Sequence, residues 1–323
     1  MRRRTLLLAT TLALPAIHAR AQGAPYPNRP IRMIIPWPPG QATDLMGRVA
    51  GQLITDALGQ PVVSENRPGA GGMIGTDAAA KSTPDGYTLL AASSGPVTIN
   101  PLLQRVPFDP EKDLTSVAIL GLSPYLLVVR PGFPATDMAS FIAALKAAPG
   151  RYTFATSGTG ATAHLISEYF NRGAGVEAVH VPFAGSGPAL TSVLGGQVDY
   201  AIDTVAATGP LVRQGAVRTF GMSLTRPSVL APGVPTIAEA AGIPGFNASA
   251  WLGVMAPGAT PRPVIDRLSD AIKRGMANPT TQERLVAMGI EPEFRDTAAM
   301  AAHLRDQREV FSTIIRTAGI RLE

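Results

Sequence analysis

The feature that most constrains the fold is a short apolar run that ends at a group of prolines and continues as a helix. Residues 31–35 have the length of a buried strand. Pro36-Trp-Pro-Pro-Gly40 ends it, because proline lacks the backbone N–H that a strand or helix interior needs. Apolar residues then recur at helical spacings of three and four: Leu45, Val49, Leu53, Ile54 and Ala57. A strand, turn and helix start in this order direct free backbone N–H groups at one point, which favours an anion such as a carboxylate.

Strand, loop and helix alternate along the rest of the chain, which predicts mostly parallel sheets covered by helices. The first sheet would also contain strands at 60–65 and 87–92, with a glycine-rich loop at 66–72 and a helix at 74–81 between them. Apolar runs on either side of Pro124 indicate a crossing to a second domain. That domain would hold a helix at 138–147 and strands at 152–155, 179–183, 198–202 and 217–224. The return lies between Leu224 and Trp251, and amphipathic helices follow at 264–275, 280–288 and 297–318, separated by Pro279 and Pro292.

We therefore predict an α/β protein of two lobes, each a mostly parallel sheet flanked by helices. Residues 22–122 and 225–323 would form lobe 1, and residues 123–224 lobe 2. Residues 31–44 and 152–164 share the order strand, glycine-containing polar loop, helix start. We name the two connections the first loop (residues 36–41) and the second loop (residues 156–160). If both face one cleft, the lobes could hold a ligand between them and close over it by a hinge motion.

The first 21 residues predict a cleaved export signal, with a basic start, an apolar segment at 6–17 and Ala19-Arg-Ala21. Arg3 and Arg4 leave the Sec and twin-arginine routes both open, and a retained amphipathic anchor is the alternative. The segment holds four of the 28 Lys and Arg residues and none of the 23 Asp and Glu residues, so the remainder has a net charge of +1. Charge therefore gives no argument for nucleic acid. The absence of cysteine excludes disulfides, thiol nucleophiles and cysteine-ligated metals.

Several serine and threonine residues lie at positions where a predicted strand ends and a loop begins. In open α/β sheets ligands bind beyond the carboxyl ends of strands, and hydroxyl and glycine N–H groups there can donate to a carboxylate. Taken singly, each is explained as a turn or N-cap residue, and as a set they leave both interpretations open. These residues are Ser93, Ser94, Thr156, Ser157, Thr159 and Ser186.

Four further side chains each have two interpretations. Asp44 and Asp203 could complement a helix start, or could hold a loop open or pair with a ligand amino group. Trp37 could line the cleft or belong to the core. His164, near a predicted helix start, could bond a loop or the ligand.

Patterns typical of catalysis or metal binding are missing from the sequence. It has no His-x-x-x-His spacing, no Gly-x-Ser-x-Gly elbow and no Walker lysine. An exported hydrolase using Ser94, Ser157 or Ser186 is the rival, and it would need a histidine and an acid at that serine. We expect a binding protein without catalysis, cofactor or metal.

A series of motifs along the whole chain after the signal carries a family resemblance. In order they are Pro36-Trp-Pro-Pro-Gly40 with Thr43-Asp44, Glu65-Asn-Arg-Pro-Gly-Ala-Gly-Gly72, Pro84-Asp-Gly-Tyr-Thr-Leu89, Ser157-Gly-Thr-Gly160 with His164, His180-Val-Pro-Phe183 with Gly185, Leu194-Gly-Gly-Gln197, Val234-Pro-Thr236, Trp251 and the segment 256–261. Together they resemble the tripartite tricarboxylate transporter substrate-binding proteins, often called Bug receptors. The resemblance implies a periplasmic receptor of the two-lobed periplasmic-binding-protein fold (Venus flytrap, type II-like). Such a receptor binds a small organic carboxylate and delivers it to membrane permease subunits.

The resemblance also implies which residues bind the ligand. In lobe 1 these are Trp37, Pro38, Gly40, Thr43, Asp44, Ser93 and Ser94; in lobe 2 they are Thr156, Ser157, Thr159, His164, Gly185 and Asp203. Two departures matter, because Gln41 stands where the family usually has a second glycine and Trp37 where it often has phenylalanine. The Gln41 amide could donate to the ligand or narrow the pocket, so we predict that specificity depends on these two positions. We expect a monomer, and a periplasmic sensor that docks on a signalling receptor is the other function left open.

Overall fold

Two mixed sheets flanked by helices make up the part of the chain described by this computed structural model, residues 26–318 and residue 320. The predicted export signal lies outside these residues. The strands are β1 Ile31–Ile35, β2 Val62–Asn66, β3 Thr88–Ser93, β4 Leu114–Ser123, β5 Tyr125–Val129, β6 Thr153–Thr156, β7 Val179–Pro182, β8 Tyr200–Thr204, β9 Arg218–Met222, β10 Ala250–Pro257 and β11 Glu291–Arg295.

The helices alternate with the strands in both halves. They are α1 Ala42–Leu58, α2 Met73–Ala80, α3 Asn100–Leu103, α4 Met138–Ala147, α5 Thr162–Ala174, α6 Ser186–Leu194, α7 Val205–Arg213, α8 Ile237–Ala240, α9 Arg262–Met276, α10 Pro279–Ala287 and α11 Thr297–Ala318. In the described residues, none of these helices combines the length and the apolar character needed to cross a membrane.

The two sheets share one internal arrangement. The first has the order β11-β4-β10-β3-β1-β2 and the second β7-β6-β8-β5-β9. In the first sheet β2, β1 and β3 are parallel, and in the second β7, β6 and β8 are parallel, while β10 and β5 run antiparallel beside them. The carboxyl ends of β1 and β6, each followed by a loop and a helix, therefore occupy equivalent positions in the two sheets.

Buried apolar side chains fix the helices on these sheets. In the first, Met46, Val49 and Ile54 on one face of α1 pack with Ile31 and Met33 of β1, and all are at most 1% exposed. In the second, an aromatic group from β6, α4, α5 and β8 fills the core, consisting of Phe154, Phe141, Phe170 and Tyr200. Both loops are thus attached to strands and helices with rigid, well-packed cores.

The chain crosses between the sheets where the sequence predicts. Pro124 alone separates β4 in the first sheet from β5 in the second, and the return lies between β9 and β10. Within the return, Ile237, Ile243 and Phe246 pack in the core of the second sheet. The division into lobes stays a prediction, and this packing leads us to propose that lobe 2 extends to about residue 249 rather than 224.

Helix α11 bridges the two lobes. Its first residue, Thr297, donates a hydrogen bond to the Val117 carbonyl of β4, at 3.1 Å. Near its other end, Phe311 and Ile314 pack against Leu165 of α5 in a separate buried cluster. The helix that follows the second loop is therefore in contact with an element anchored on the first sheet.

Four elements were absent from the sequence prediction, namely α3, α7, α8 and β11. Helix α7 begins directly after β8, where the Thr204 side chain accepts a hydrogen bond from the Ala207 N–H and caps it. Pro292 does separate α10 from α11, as predicted, but it also belongs to strand β11. This strand lies at the edge of the first sheet, where a missing N–H is tolerated.

Candidate functional site

The first loop is held by the carboxylate of Asp44, in the first turn of α1. This carboxylate accepts hydrogen bonds from the Gly40 N–H at 2.9 Å, the Arg48 Nε at 3.0 Å and the Asn66 Nδ2 at 2.8 Å. Asn66 also donates to the Trp37 carbonyl at 2.9 Å. The bonds support one of the roles left open for Asp44, that of fixing the loop's shape.

Electrostatics agree with this role for Asp44, which is 2% exposed. Burial alone would raise the pKa of its carboxyl, but the hydrogen bonds from Arg48, Asn66 and Gly40 together outweigh burial and hold the pKa below its usual value. The acid is therefore ionised and its charge is matched by Arg48. Neither group offers a free charge to a ligand.

Helix α1 begins without a side-chain cap. Gln41 is its N-cap residue, is exposed, and makes no capping hydrogen bond with its side chain. The first intrahelical bond runs from the Leu45 N–H to the Gln41 carbonyl, at 2.9 Å, so the amides of Ala42 and Thr43 have no acceptor within the helix. Gly40, with φ +86°, makes the turn that brings the chain to this helix start.

Trp37 follows β1 and is held by contacts with its neighbours. It is half-buried, and its Nε1 donates to the Ser93 hydroxyl at 3.1 Å. A Cβ at Gly72 would lie 3.4 Å from its ring, so the ring rests against the glycine-rich loop. Ser94, in contrast, is fully buried, and its hydroxyl accepts the Trp251 N–H at 2.8 Å. Its hydroxyl is thus engaged in joining β3 to β10.

The second loop repeats this design with different chemistry. The fully buried Thr156 hydroxyl lies 2.6 Å from His180 Nε2 and accepts the Gly158 N–H at 3.3 Å. At the other end of the loop, His164 Nδ1 accepts the Gly160 N–H at 3.1 Å. Of the two interpretations of His164, the structure supports the bond to a loop. Ser157 is half-buried and Thr159 exposed between these anchors.

Helix α5 also begins without a side-chain cap. Its N-cap residue is Ala161, and the first intrahelical bond runs from the Leu165 N–H to the Ala161 carbonyl, at 3.2 Å. The amides of Thr162 and Ala163 therefore have no acceptor within the helix, like those at the start of α1. Helices α4, α7, α8 and α10 differ, because side chains cap them: Asp137, Thr204, Thr236 and Asn278.

Asp203 and Gly185 lie beside the second loop. The parallel register of β6 and β8 pairs Ala155 with Ala201, which places the strand end at Asp203 next to the loop. One oxygen of Asp203 accepts from the Ser186 hydroxyl at 3.0 Å and the Thr204 N–H at 2.7 Å. Burial raises the pKa of this carboxyl, which is 2% exposed. Gly185, with φ +120°, leads into α6, which also has no side-chain cap.

The structure thus brings the predicted residues into two groups, one per lobe. At the end of β1 and β3 these are Trp37, Pro38, Gly40, Gln41, Thr43, Asp44 and Ser93; at the end of β6, β7 and β8 they are Thr156, Ser157, Thr159, His164, Gly185 and Asp203. Two residues that hold the loops, Asn66 and His180, were predicted only as members of motifs. Asn66 had a local signal, since it directly follows a predicted strand, whereas His180 lies within its strand and had none.

The arrangement suits binding more readily than catalysis. Among the described residues, no serine hydroxyl forms a hydrogen bond with a histidine ring, and both histidines beside the second loop are engaged by Gly160 and Thr156. The same part of the chain contains no group of three or more His, Cys, Asp or Glu side chains placed to hold a metal ion. What the two loops offer is backbone N–H groups at uncapped helix starts.

This fold, with two sheets of matching topology and a loop and helix start in each, is that of a two-lobed periplasmic binding protein. A family model described as "Tripartite tricarboxylate transporter family receptor" matches residues 46–320, and the chain belongs to that family. It is therefore a solute-binding receptor. The family resemblance predicted from the motifs and the two-lobed α/β fold are both confirmed.

Individual relatives agree over nearly their whole length. BugT of Bordetella pertussis is 37% identical over 325 residues, covering 100% of this chain and 99% of BugT. The solved structure of R. palustris Rpa4515 with adipate is 30% identical, with a TM-score of 0.79 and coverage of 92% of this chain and 99% of that one. MatC from Rhodopseudomonas palustris with bound malate is 31% identical, with a TM-score of 0.74 and coverage of 90% and 100%.

Proposed function

We propose that this receptor captures a small organic carboxylate between the first and second loops and performs no chemistry on it. The observation that carries the proposal is the pair of helix starts, α1 and α5, that follow equivalent strands and have no side-chain cap. An anion placed between them would accept N–H groups of the kind that side chains satisfy in α4, α7, α8 and α10, and would interact favourably with both helix dipoles. Adipate and malate, bound in the two related structures, are dicarboxylates and support this ligand class.

The charges around the loops support the same ligand class. Arg48 is paired with Asp44, and burial raises the pKa of Asp203 and so favours its uncharged form, and both effects reduce the repulsion of a bound carboxylate. The binding groups are then dipoles that are already fixed in place, which reduces the cost of ordering them on binding. Gln41 is exposed next to these N–H groups and would meet the part of the ligand beyond its carboxylate.

We propose further that the receptor acts in the periplasm as a monomer, after removal of the export signal, and delivers its ligand to membrane permease subunits. Membership of a transporter receptor family and the predicted signal at residues 1–21 support this role. Capture of the permease subunits by the loaded receptor, and not by the ligand-free one, would test delivery. Capture of a signalling receptor instead would contradict it.

Ligand binding itself can be tested by thermal unfolding and calorimetry. The protein should first be unfolded and refolded, so that copurified ligand is removed. A carboxylate at 100 times its dissociation constant stabilises the folded state by about 2.7 kcal/mol, which corresponds to about 4 °C in melting temperature for a chain of this length. The panel should contain mono-, di- and tricarboxylates, amino acids and aromatic acids. If none of them shifts the melting temperature or gives a heat of binding, the proposal fails.

A further inference from the structure

Two imidazole rings from different elements hold the two ends of the second loop. His180, on β7, places its Nε2 2.6 Å from the Thr156 hydroxyl at the start of the loop. His164, on α5, accepts the Gly160 N–H at 3.1 Å at the end of the loop. Each ring thus fixes one end, and the residues between them have few other restraints.

The two rings are stacked on each other. Their centroids are 3.8 Å apart and their planes differ by 10°. Phe154 of β6 stacks on His180 with a centroid distance of 5.0 Å, which continues the stack into the buried core. A movement of either histidine is therefore transmitted to the other, and the two ends of the loop are coupled.

The role of each ring nitrogen follows from its hydrogen-bond partner. Because the Gly160 N–H donates to His164 Nδ1, that nitrogen carries a lone pair, and the proton of the neutral ring lies on Nε2. Burial, and then the proximity of His164, lower the pKa of His180 to about 4. A titratable neighbour on α5, Glu168, has its Oε1 3.8 Å from His164 Nε2. The residues of β6 and α6 are all uncharged. The His180 ring is therefore uncharged near neutral pH.

The middle of the loop is held by these bonds and not by burial. Gly158 and Gly160 have φ values of +131° and +75°, and Ser157 and Thr159 are half-buried and exposed. Such a segment has little apolar contact to keep one conformation, so removing its hydrogen bonds would let it sample others. The N–H groups at the start of α5 lie directly after it.

We propose that His180 is a positioning residue for the ligand's carboxylate, acting through Thr156 and the His164 ring without touching the ligand. This inference rests on the proposed function, since it assumes that the second loop binds the carboxylate. His180 sets the loop's start by its bond to Thr156 and the loop's end by its stack with His164. Nothing in the sequence motif alone distinguishes this role from that of an ordinary strand residue.

The test compares two substitutions of His180 with a matched substitution of His303. His180→Phe keeps a ring for stacking but removes the nitrogen that contacts Thr156, whereas His180→Gln offers an amide at a similar reach without the ring. His303→Gln is the control, because His303 also has a pKa lowered to about 4 and forms no hydrogen bond with either loop in the described contacts; it is buried, whereas His180 is half-buried. The probes are adipate and malate, and calorimetry gives their dissociation constants.

We expect His180→Phe to raise the dissociation constant at least tenfold for whichever probe the wild type binds better. His180→Gln should recover part of that loss, and the His303 variant should stay within twofold of the wild type. In the ligand-free wild type, the amide resonances of Gly158 and Gly160 should titrate together with the His180 ring near pH 4, and this titration should vanish in His180→Gln. A side chain that only supports the fold would not tie these amides to its own protonation.

The outcomes separate the two proposals. If the wild type binds no carboxylate of the panel, the proposed function is wrong. If the wild type binds a probe and His180→Phe stays within twofold of it, only the role of His180 is overturned. If His180→Phe does not fold, the role of His180 is judged from the affinity of His180→Gln and from the titration of the wild type. Gly158 and Gly160 amide resonances that do not change as His180 titrates would contradict the proposal.

Discussion

Replacing Asp44 by asparagine should loosen the first loop while leaving its shape almost unchanged. The Asp44 carboxylate accepts three hydrogen bonds, from N–H groups of Gly40, Arg48 and Asn66. Asparagine has one acceptor oxygen, so its NH₂ must face at least one donor. Hydrogen bonds to a charged group contribute about 1.5–3 kcal/mol, and an unsatisfied buried donor costs about 1–3 kcal/mol. We therefore expect the free energy of unfolding to fall by about 2–3 kcal/mol.

Binding should weaken as well, because Gly40 and the start of α1 are positioned by this carboxylate. Loss of one well-placed hydrogen bond to the ligand, about 1.4 kcal/mol, corresponds to a tenfold higher dissociation constant. Urea unfolding measures the stability and calorimetry the affinity. Asp56→Asn on the same helix is the control, since Asp56 is exposed and accepts only from Gln52 among the described contacts. An Asp44→Asn variant that matches the wild type in both measurements would refute the reasoning.

The pH dependence gives a second check on Asp44. Its pKa in the folded state lies below the usual 3.8, so its contribution to stability is fully present above that value and is lost as pH falls through the lower, folded pKa. The stability difference between wild type and Asp44→Asn should therefore be constant from about pH 5 upward and shrink below about pH 4. A difference that grows on acidification would contradict the assignment.

Two further substitutions test one residue beside the first loop and one on α11, away from both loops. Trp37→Phe keeps a ring against the glycine-rich loop but removes the Nε1 donor to Ser93. The free energy of unfolding should therefore fall by about 1 kcal/mol, and the order of affinities among carboxylates should change. An unchanged order in calorimetry would contradict this prediction. His303 has its pKa lowered from 6.5 to about 4, so folding opposes its protonation, and stability should fall as pH drops from about 6.5 towards 4. Between pH 7 and pH 5 the protonation of His303 lowers the free energy of unfolding by about 2 kcal/mol. In His303→Gln, the fall in the free energy of unfolding over this pH range, measured by urea unfolding, should be smaller by that amount.

How well each element could be predicted depends on whether its signal is local. The strand, proline turn and helix at 31–58 were found because prolines end the strand and the helix repeats with a period near 3.6. Helix α4 agrees with prediction at both ends, and Asp137 caps it through the Ser140 N–H. In contrast, β11 has the sequence Glu-Pro-Glu-Phe-Arg, with no apolar run, and is defined only by pairing with the distant β4.

Whether the residues of the site could be predicted also depends on whether their signal is local. The positions of hydroxyl and glycine residues at strand ends were available from the sequence, because strand ends and helix starts leave local signals. The bond from Asn66 to Asp44 spans 22 positions and the contact from His180 to Thr156 spans 24. Such pairings depend on which strands are neighbours, and many donors in the chain could have served Asp44 equally well.

The two loops show why one scaffold can serve different carboxylates. An acid paired with Arg48 fixes the first loop and a pair of stacked histidine rings fixes the second. The anion would then be bound by backbone dipoles that recognise only its carboxylate. Discrimination then falls to exposed side chains at the loops, and Gln41 is an exposed amide at the start of α1.

Gln41→Ala should therefore change specificity without changing stability. Because Gln41 forms no capping bond, the free energy of unfolding should stay within about 0.5 kcal/mol of the wild type. A hydrogen bond from its amide to a charged ligand group contributes about 1.5–3 kcal/mol, so the ratio of the dissociation constants for adipate and malate should change by about tenfold or more. Gln52→Ala, on the exposed side of the same helix, should leave the ratio as it is. A ratio that stays within twofold after Gln41→Ala would mean that discrimination lies elsewhere in the cleft, since the backbone groups at the two helix starts are the same for either ligand.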